Sequence, residues 1–97
     1  MWYNNDMTRR KKNNQNIEVG NLIYEYRKKL TDIPKSRQGF IDDRSAKFFN
    51  NEEWISEKTL GNYETGQNIP SLENLKKLSV ALEVDTLELI AEILKLI

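Results

Sequence analysis

The sequence predicts an all-α domain built from five short helices. Apolar residues recur in several segments at the three- and four-residue spacing of an amphipathic helix. No segment shows the strict apolar–polar alternation of a half-buried β-strand. Serine, asparagine, glycine and proline separate the segments at places where helices usually begin or end. The chain of 97 residues is long enough for one domain with a single modest core.

The first helix is predicted over residues 17–29. The apolar residues that set its spacing are Val19, Leu22, Ile23, Tyr26 and Leu30. Residues 1–16 show no such spacing and are mostly asparagine, arginine and lysine. We therefore expect a flexible basic arm over residues 1–16, followed by one domain over residues 17–97. The basic run "RRKK" of this arm either contacts DNA or serves as a solubilising tail.

The starts of the other four helices are predicted from N-capping residues. Ser36, Ser56, Ser71 and Asp85 each precede a segment with helical character. Their side-chain oxygens can accept a hydrogen bond from a free N–H group in the first helical turn. Gly66 is a plausible left-handed C-cap for helix 3.

Composition excludes several classes of function. The chain has no cysteine and no histidine, which removes disulfides, thiolate metal sites and the commonest general base. It also shows no glycine-rich phosphate loop and no paired-carboxylate spacing. We expect neither an enzyme nor a bound metal or cofactor. The polar N-terminal residues and the lack of a long apolar run predict a cytoplasmic protein that does not enter a membrane.

Charge is distributed unevenly although the net charge is zero. Residues 1–47 contain 11 Lys/Arg and 6 Asp/Glu, whereas residues 48–97 contain 4 and 9. This asymmetry suggests a basic side that meets a polyanion and an acidic side that faces away. The alternative is a basic tail balanced by ordinary solvated helices.

Helix 3 combines two inward-facing residues, Leu60 and Tyr63, with an unusually polar outer face. That face carries Glu57, Lys58, Thr59 and Asn62. Lysine can bind guanine, asparagine can bind adenine, and glutamate can bind cytosine. Threonine can bind more than one of these bases. Gly61 removes bulk from the same face. A merely solvated helix face is the alternative interpretation.

Two stretches, "VGNLIYEYRKK" and "ISEKTLGNYETGQNIPSLENLKKLSVALEVDTLELI", resemble the phage-repressor/Cro-type (XRE) helix-turn-helix family. The residues that match its patterns are Val19, Gly20, Ile23, Arg27, Ser56, Thr59, Leu60, Tyr63, Glu64, Gly66 and Pro70. The resemblance implies a five-helix, lambda-repressor-like domain that binds double-stranded DNA sequence-specifically through helix 3. It favours a transcriptional repressor of phage or mobile-element type.

The resemblance also implies roles for individual residues. The expected base contacts are Glu57, Lys58, Thr59 and Asn62. The expected phosphate contacts are Arg37 and Gln38 at the start of helix 2 and Gln67 and Asn68 after helix 3. Because that loop carries no charge, we add Arg44 and Lys47 as further phosphate contacts. Arg27 and Glu64 are expected to form a structural ion pair.

The connection between helices 2 and 3 is longer than is usual in the family. We expect either an extended helix 2 or a small loop over residues 45–55. Three aromatic residues in this stretch, Phe48, Phe49 and Trp54, are costly to leave in water. An ordered connection is therefore predicted, with Phe48 or Phe49 in contact with Trp54.

Helix 5 is more apolar than one buried stripe requires. The surplus either packs on helices 1 and 4 or joins two subunits in a homodimer, through Ile93, Leu94, Leu96 and Ile97. The alternative function is an antitoxin-like interaction module that binds an unidentified protein partner through helix 5.

Overall fold

The computed structural model describes the backbone of residues 5–97 and the side chains from Asn16 onward. Its helices are α1 (Asn5–Lys29), α2 (Arg37–Phe48), α3 (Glu57–Glu64), α4 (Leu72–Leu82) and α5 (Thr86–Leu94). The described part of the chain contains no β-strand. The predicted five-helix, all-α class is confirmed, and the architecture is consistent with a lambda-repressor-like fold.

The first helix begins earlier than its apolar spacing indicates. α1 starts at Asn5 rather than near Ile17. Arginine, lysine and glutamine favour helices, and extending an existing helix costs far less than nucleating one. The predictions made for the arm, including a DNA contact by Arg9 to Lys12, concern side chains outside those that the structure describes.

Each of the later helices begins at the N-cap that the sequence predicts. The Ser36 Oγ accepts from the Gly39 N–H at 3.0 Å, and the Ser56 Oγ accepts from the Thr59 N–H at 3.0 Å. The other two caps bond in the same way, Ser71 to Asn74 and Asp85 to Glu88. These bonds satisfy backbone donors that have no partner within the helix.

The connection between α2 and α3 is ordered, as predicted. Trp54 is buried, stacks on Phe49 with ring centroids 4.9 Å apart, and donates from its Nε1 to the Ile41 carbonyl at 3.1 Å. The Ser45 Oγ donates to the Glu52 carbonyl at 2.6 Å. Both structural alternatives are therefore realised, since α2 runs on to Phe48 and a small folded loop follows it.

The core lies between the five helices, with α3 packed on α1 and α2, and α4 packed on α2 and α5. Its buried apolar side chains are Val19, Ile23, Phe40, Ile41, Trp54, Ile55, Leu60, Tyr63, Leu75, Leu78, Ala81, Leu82, Leu89 and Ile93.

Gly20 allows α1 to approach the end of α3 closely. A Cβ atom at Gly20 would lie 2.5 Å from the Glu64 carbonyl oxygen and 2.6 Å from that of Tyr63. No larger residue fits this contact without a backbone shift. The approach fixes α3 against α1 and leaves the opposite side of α3 uncovered.

Candidate nucleic-acid interface

The uncovered side of α3 forms one wall of an open polar cleft. The residues that line it are Arg37, Glu57, Lys58, Gly61, Asn62, Thr65 and Gln67. Positions 57, 58, 61, 62 and 65 share one helix face because an α-helix has 3.6 residues per turn. None of these residues has a large apolar side chain, so the cleft offers hydrogen bonds and charge rather than hydrophobic contact.

The opposite face of α3 anchors the helix. Leu60 is buried, and so is Tyr63, whose hydroxyl accepts from the Asn74 Nδ2 at 2.6 Å. Tyr63 thereby ties α3 to the start of α4. This orientation is the one expected from the sequence, and it points Glu57, Lys58 and Asn62 toward the cleft.

Thr59 lies apart from the other expected base contacts. It is half-buried and does not line the cleft. Its Oγ1 accepts from the Ser56 Oγ at 2.9 Å, and its backbone N–H donates to the same hydroxyl. The Thr59 side chain therefore takes part in the N-cap of α3.

The residues after α3 are held close to the cleft. The backbone N–H groups of Gln67 and Asn68 both donate to the Asn62 carbonyl, at 2.8 and 3.3 Å. Both side chains are exposed, and Gln67 lines the cleft. Gln38, at the start of α2, is also exposed, and its Nε2 donates to Asp42 at 2.8 Å. Gln67 is therefore accessible to a ligand in the cleft, whereas Gln38 and Asn68 are exposed but do not line it.

The structure does not support Arg44 as a phosphate contact. Its side chain is only 3% exposed and its guanidinium donates to Asp43, Glu83 and the Ala81 carbonyl. Burial lowers the pKa of Arg44. The bonds to Asp43 and Glu83 raise it by more than burial lowers it, so the pKa lies above its ordinary value. Arg44 joins α2 to the end of α4.

Lys47 is exposed but lies away from the cleft. It is ten residues from Arg37 along α2, a separation of about 15 Å at 1.5 Å per residue. It lines a different cleft with Asp32, Asp43 and Glu83. The structure therefore does not bring Lys47 together with the polar face of α3.

A buried network joins α1, α2 and α3 behind the cleft. Arg27 donates to Glu64 through two bonds, Nε to Oε2 at 2.6 Å and Nη2 to Oε1 at 3.0 Å. The two side chains are only 7% and 2% exposed. The Arg27 Nη1 also donates to the Lys35 carbonyl at 2.7 Å. The ion pair that the resemblance implies is thus present as a bidentate contact.

Arg37 also belongs to this buried network, which was not expected from the sequence. The Arg37 Nε donates to the Glu64 Oε1 at 2.9 Å, so Glu64 binds two arginines. Thr65 was likewise not expected at the interface, but it lines the cleft and its Oγ1 donates to the Gly61 carbonyl at 2.8 Å. The signal for Thr65 was available, because it lies four residues after Gly61 on the same helical face.

The residues expected at a dimer interface divide into two groups. Ile93 is only 3% exposed and belongs to the core, so it is not available to a second subunit. Leu96 also packs partly against the core. Leu94 and Ile97 are exposed. Leu87, which was not expected at the interface, is 76% exposed and lies on the same face of α5 as Leu94.

The described residues contain neither a metal-binding cluster nor a membrane-spanning helix. No group of three or more acidic side chains there is arranged to hold a metal ion. No helix within that part of the chain is both long enough and apolar enough to cross a membrane.

Comparison with known proteins identifies the region around the cleft. A family model described as Helix-turn-helix matches residues 54–95, which contain α3, α4 and α5. No curated protein and no solved structure matches the chain. The matching family consists of DNA-binding proteins that are typically not enzymes, and it indicates a role in transcriptional regulation. Residues 54–95 are therefore an all-α, XRE-type helix-turn-helix DNA-binding domain.

Proposed function

We propose that the protein is a sequence-specific transcriptional regulator of the phage or mobile-element repressor type, and that α3 enters the major groove of double-stranded DNA. The observation that carries this proposal is the division of α3 into two faces. Leu60 and Tyr63 are buried, whereas Glu57, Lys58 and Asn62 line an open cleft. A major groove admits an α-helix and displays hydrogen-bonding groups that these side chains can bind.

Each proposed base contact has a preferred partner. Lys58 can donate to guanine O6 or N7, and Asn62 can form two bonds with the N6 and N7 of adenine. Glu57 can accept from the N4 amino group of cytosine. The Thr59 hydroxyl accepts a hydrogen bond from Ser56, and it would contact a base or sugar next to those bound by Glu57, Lys58 and Asn62.

The proposed phosphate contacts are largely uncharged. Gln67 lines the cleft, Gln38 and Asn68 are exposed, and all three side chains can donate to phosphate oxygens. Uncharged donors position the protein on DNA but release few counterions. We therefore expect a shallower salt dependence than that of strongly basic DNA-binding proteins.

A homodimer would compensate for a small interface in each subunit. Leu87, Ala91 and Leu94 are exposed and follow each other at four and three residues on one face of α5, and Ile97 is exposed beyond them. Pairing of these stripes around a two-fold axis would bury them. Such a dimer would read half-sites about 34 Å apart, arranged as an inverted repeat.

The proposal is tested by selecting duplexes from a random pool and measuring binding over a series of salt concentrations. Asn62→Ala should lose affinity for the selected site by a factor corresponding to about 1–3 kcal/mol, with little change on random DNA. Lys76→Ala is a suitable control, because Lys76 is an exposed lysine outside the cleft. Equal losses by Asn62→Ala on both DNAs would refute base reading by α3.

The same exposed stripe favours one other function, an antitoxin-like module in which α5 binds a different protein. Leu87 and Leu94 are 76% and 61% exposed and lie on one face of α5, which leaves an apolar stripe that a partner could cover. A chain that stays monomeric at high concentration and binds no duplex at low salt would favour this alternative. Concentration-dependent dimerisation with duplex binding would exclude it.

A further inference from the structure

Arg37 occupies an unexpected position for a residue at the start of α2. Its side chain crosses to α3 and lies against the backbone at Gly61. A Cβ atom at Gly61 would be 3.3 Å from the Arg37 Nη1 and 3.6 Å from its Cζ. The guanidinium therefore lies over the middle of the polar face of α3, among the side chains that line the cleft.

Glu64 holds the Arg37 guanidinium by one nitrogen. The Arg37 Nε donates to the Glu64 Oε1 at 2.9 Å. Within the described residues, no group accepts a hydrogen bond from either Nη of Arg37, and the side chain is 38% exposed. The two Nη groups, which lie side by side at the end of the guanidinium, thus remain available to a ligand in the cleft.

The charge of Arg37 is not cancelled by this bond. The single carboxylate of Glu64 is shared with Arg27, which binds both of its oxygens. Two guanidinium groups and one carboxylate leave a net charge of about +1 at the network, and Arg37 is its exposed member. Glu64 acts as a positioning residue that orients Arg37 without neutralising the cleft.

We propose that Arg37 reads a guanine base in the major groove, through two bonds from its Nη groups to the O6 and N7 atoms. A bidentate contact from a basic side chain to guanine O6 and N7 is the commonest specific contact to DNA, and the planar guanidinium fits it well. Because Glu64 already restrains the side chain, less conformational entropy remains to be lost on binding. Because Gly61 has no side chain, the Arg37 guanidinium can lie close to the α3 backbone at this position. The inference rests on the DNA-binding function proposed above, and it replaces the phosphate contact expected for Arg37.

The test compares wild type with Arg37→Lys on the selected duplex and on a set of its single base-pair variants. Lysine keeps the positive charge but lacks the planar fork that binds guanine bidentately. Wild type should lose about 5- to 150-fold in affinity when one particular guanine is replaced by adenine. It should also lose affinity when that guanine is replaced by 7-deazaguanine, which lacks the N7 acceptor. Arg37→Lys should lose much less affinity than wild type for both changes, because an ammonium group lacks the planar fork of a guanidinium.

A second variant keeps every side chain of the network. Gly61→Ala places a methyl group against the Arg37 guanidinium and should weaken the same guanine preference while leaving the other base positions unchanged. Lys76→Ala is the control, since it removes an exposed side chain outside the cleft and should not alter base preference. Thermal unfolding of each variant checks that it remains folded.

The possible failures are distinguishable. If wild type binds no duplex selectively, the proposed function fails. If wild type binds selectively but Arg37→Lys keeps every base preference and weakens all duplexes alike, Arg37 contacts phosphate and the inference alone is overturned. An unchanged guanine preference in Gly61→Ala would overturn the role assigned to Gly61.

Discussion

Replacing Glu64 with glutamine should destabilise the domain by about 3–5 kcal/mol, the usual cost of removing one partner from a buried ion pair. Glutamine has nearly the same shape as glutamate, so the change removes charge without creating a cavity. Arg27 then remains buried as a cation, with the Lys35 carbonyl as its remaining strong acceptor. Arg37 contributes less to the cost because water can reach its side chain.

The predicted loss is a large share of the stability of a domain of this size. Small domains are stable by about 5–15 kcal/mol. A change of 1 kcal/mol shifts the melting temperature of a domain of 60–100 residues by roughly 4–8 °C, so Glu64→Gln should lower it by roughly 12–40 °C. The α1–α3 contact beside Gly20 should weaken at the same time, because the Glu64 backbone forms part of it.

Urea unfolding followed by circular dichroism measures the effect. Glu57→Gln is the matched control, since it makes the same chemical change at an exposed position of the same helix and should cost less than about 0.5 kcal/mol. Arg27→Met combined with Glu64→Gln should be less destabilising than the sum of the single changes, because the double variant leaves no unpaired buried charge at this pair. A loss below about 1 kcal/mol for Glu64→Gln alone would refute the argument.

Three further changes test other contacts of the fold. Gly20→Ala should cost about 1–3 kcal/mol of unfolding free energy in urea, because the new methyl group collides with backbone oxygens of α3; an unchanged midpoint would contradict that close approach. Trp54→Ala should cost about 3–5 kcal/mol by the same measurement through lost packing on Phe49, and a loss under 1 kcal/mol would mean that the connection is not anchored by its aromatic residues. Leu94→Lys should leave the unfolding free energy within about 0.5 kcal/mol at low concentration, since Leu94 is exposed, and should abolish dimerisation in sedimentation equilibrium. A dimer that survives the change would place the subunit contact elsewhere.

The helix starts were predictable because N-capping is local chemistry. Ser36, Ser56, Ser71 and Asp85 each bond to an N–H group only three residues ahead, so the signal and its partner stand together in the sequence. The start of α1 was not predictable from apolar spacing, because a helix can continue beyond the part that packs on the core.

The accessibility of single side chains was harder to predict because it depends on distant partners. Arg44 is as basic as any DNA-contacting arginine, but Glu83, 39 residues further along the chain, binds it in the folded protein. Ile93 and Leu94 are adjacent and equally apolar, and only the rotation of α5 decides which of them is buried. An excess of apolar residues on α5 left that rotation undetermined.

Arg37 shows the same limit at the candidate interface. Its place at the start of α2 predicted a contact with DNA. The bond to Glu64 was not predicted, because Glu64 lies 27 residues further along the sequence. The family resemblance predicted Arg27 as one partner of Glu64. The second partner, Arg37, is evident only in the folded structure.

The folded connection between α2 and α3 makes the angle between the two helices independent of the length of the chain that joins them. Trp54, Phe49 and the Ser45 hydroxyl hold its base, while the exposed tip residues Asn50 and Asn51 take left-handed backbone conformations with φ of 57° and 63°. Extra residues inserted at this tip would mainly add loop-closure entropy, about 0.6 kcal/mol for each doubling of length. The tip is therefore a natural place for insertions, for a peptide tag or for a fluorescent reporter that leaves the orientation of α3 unchanged.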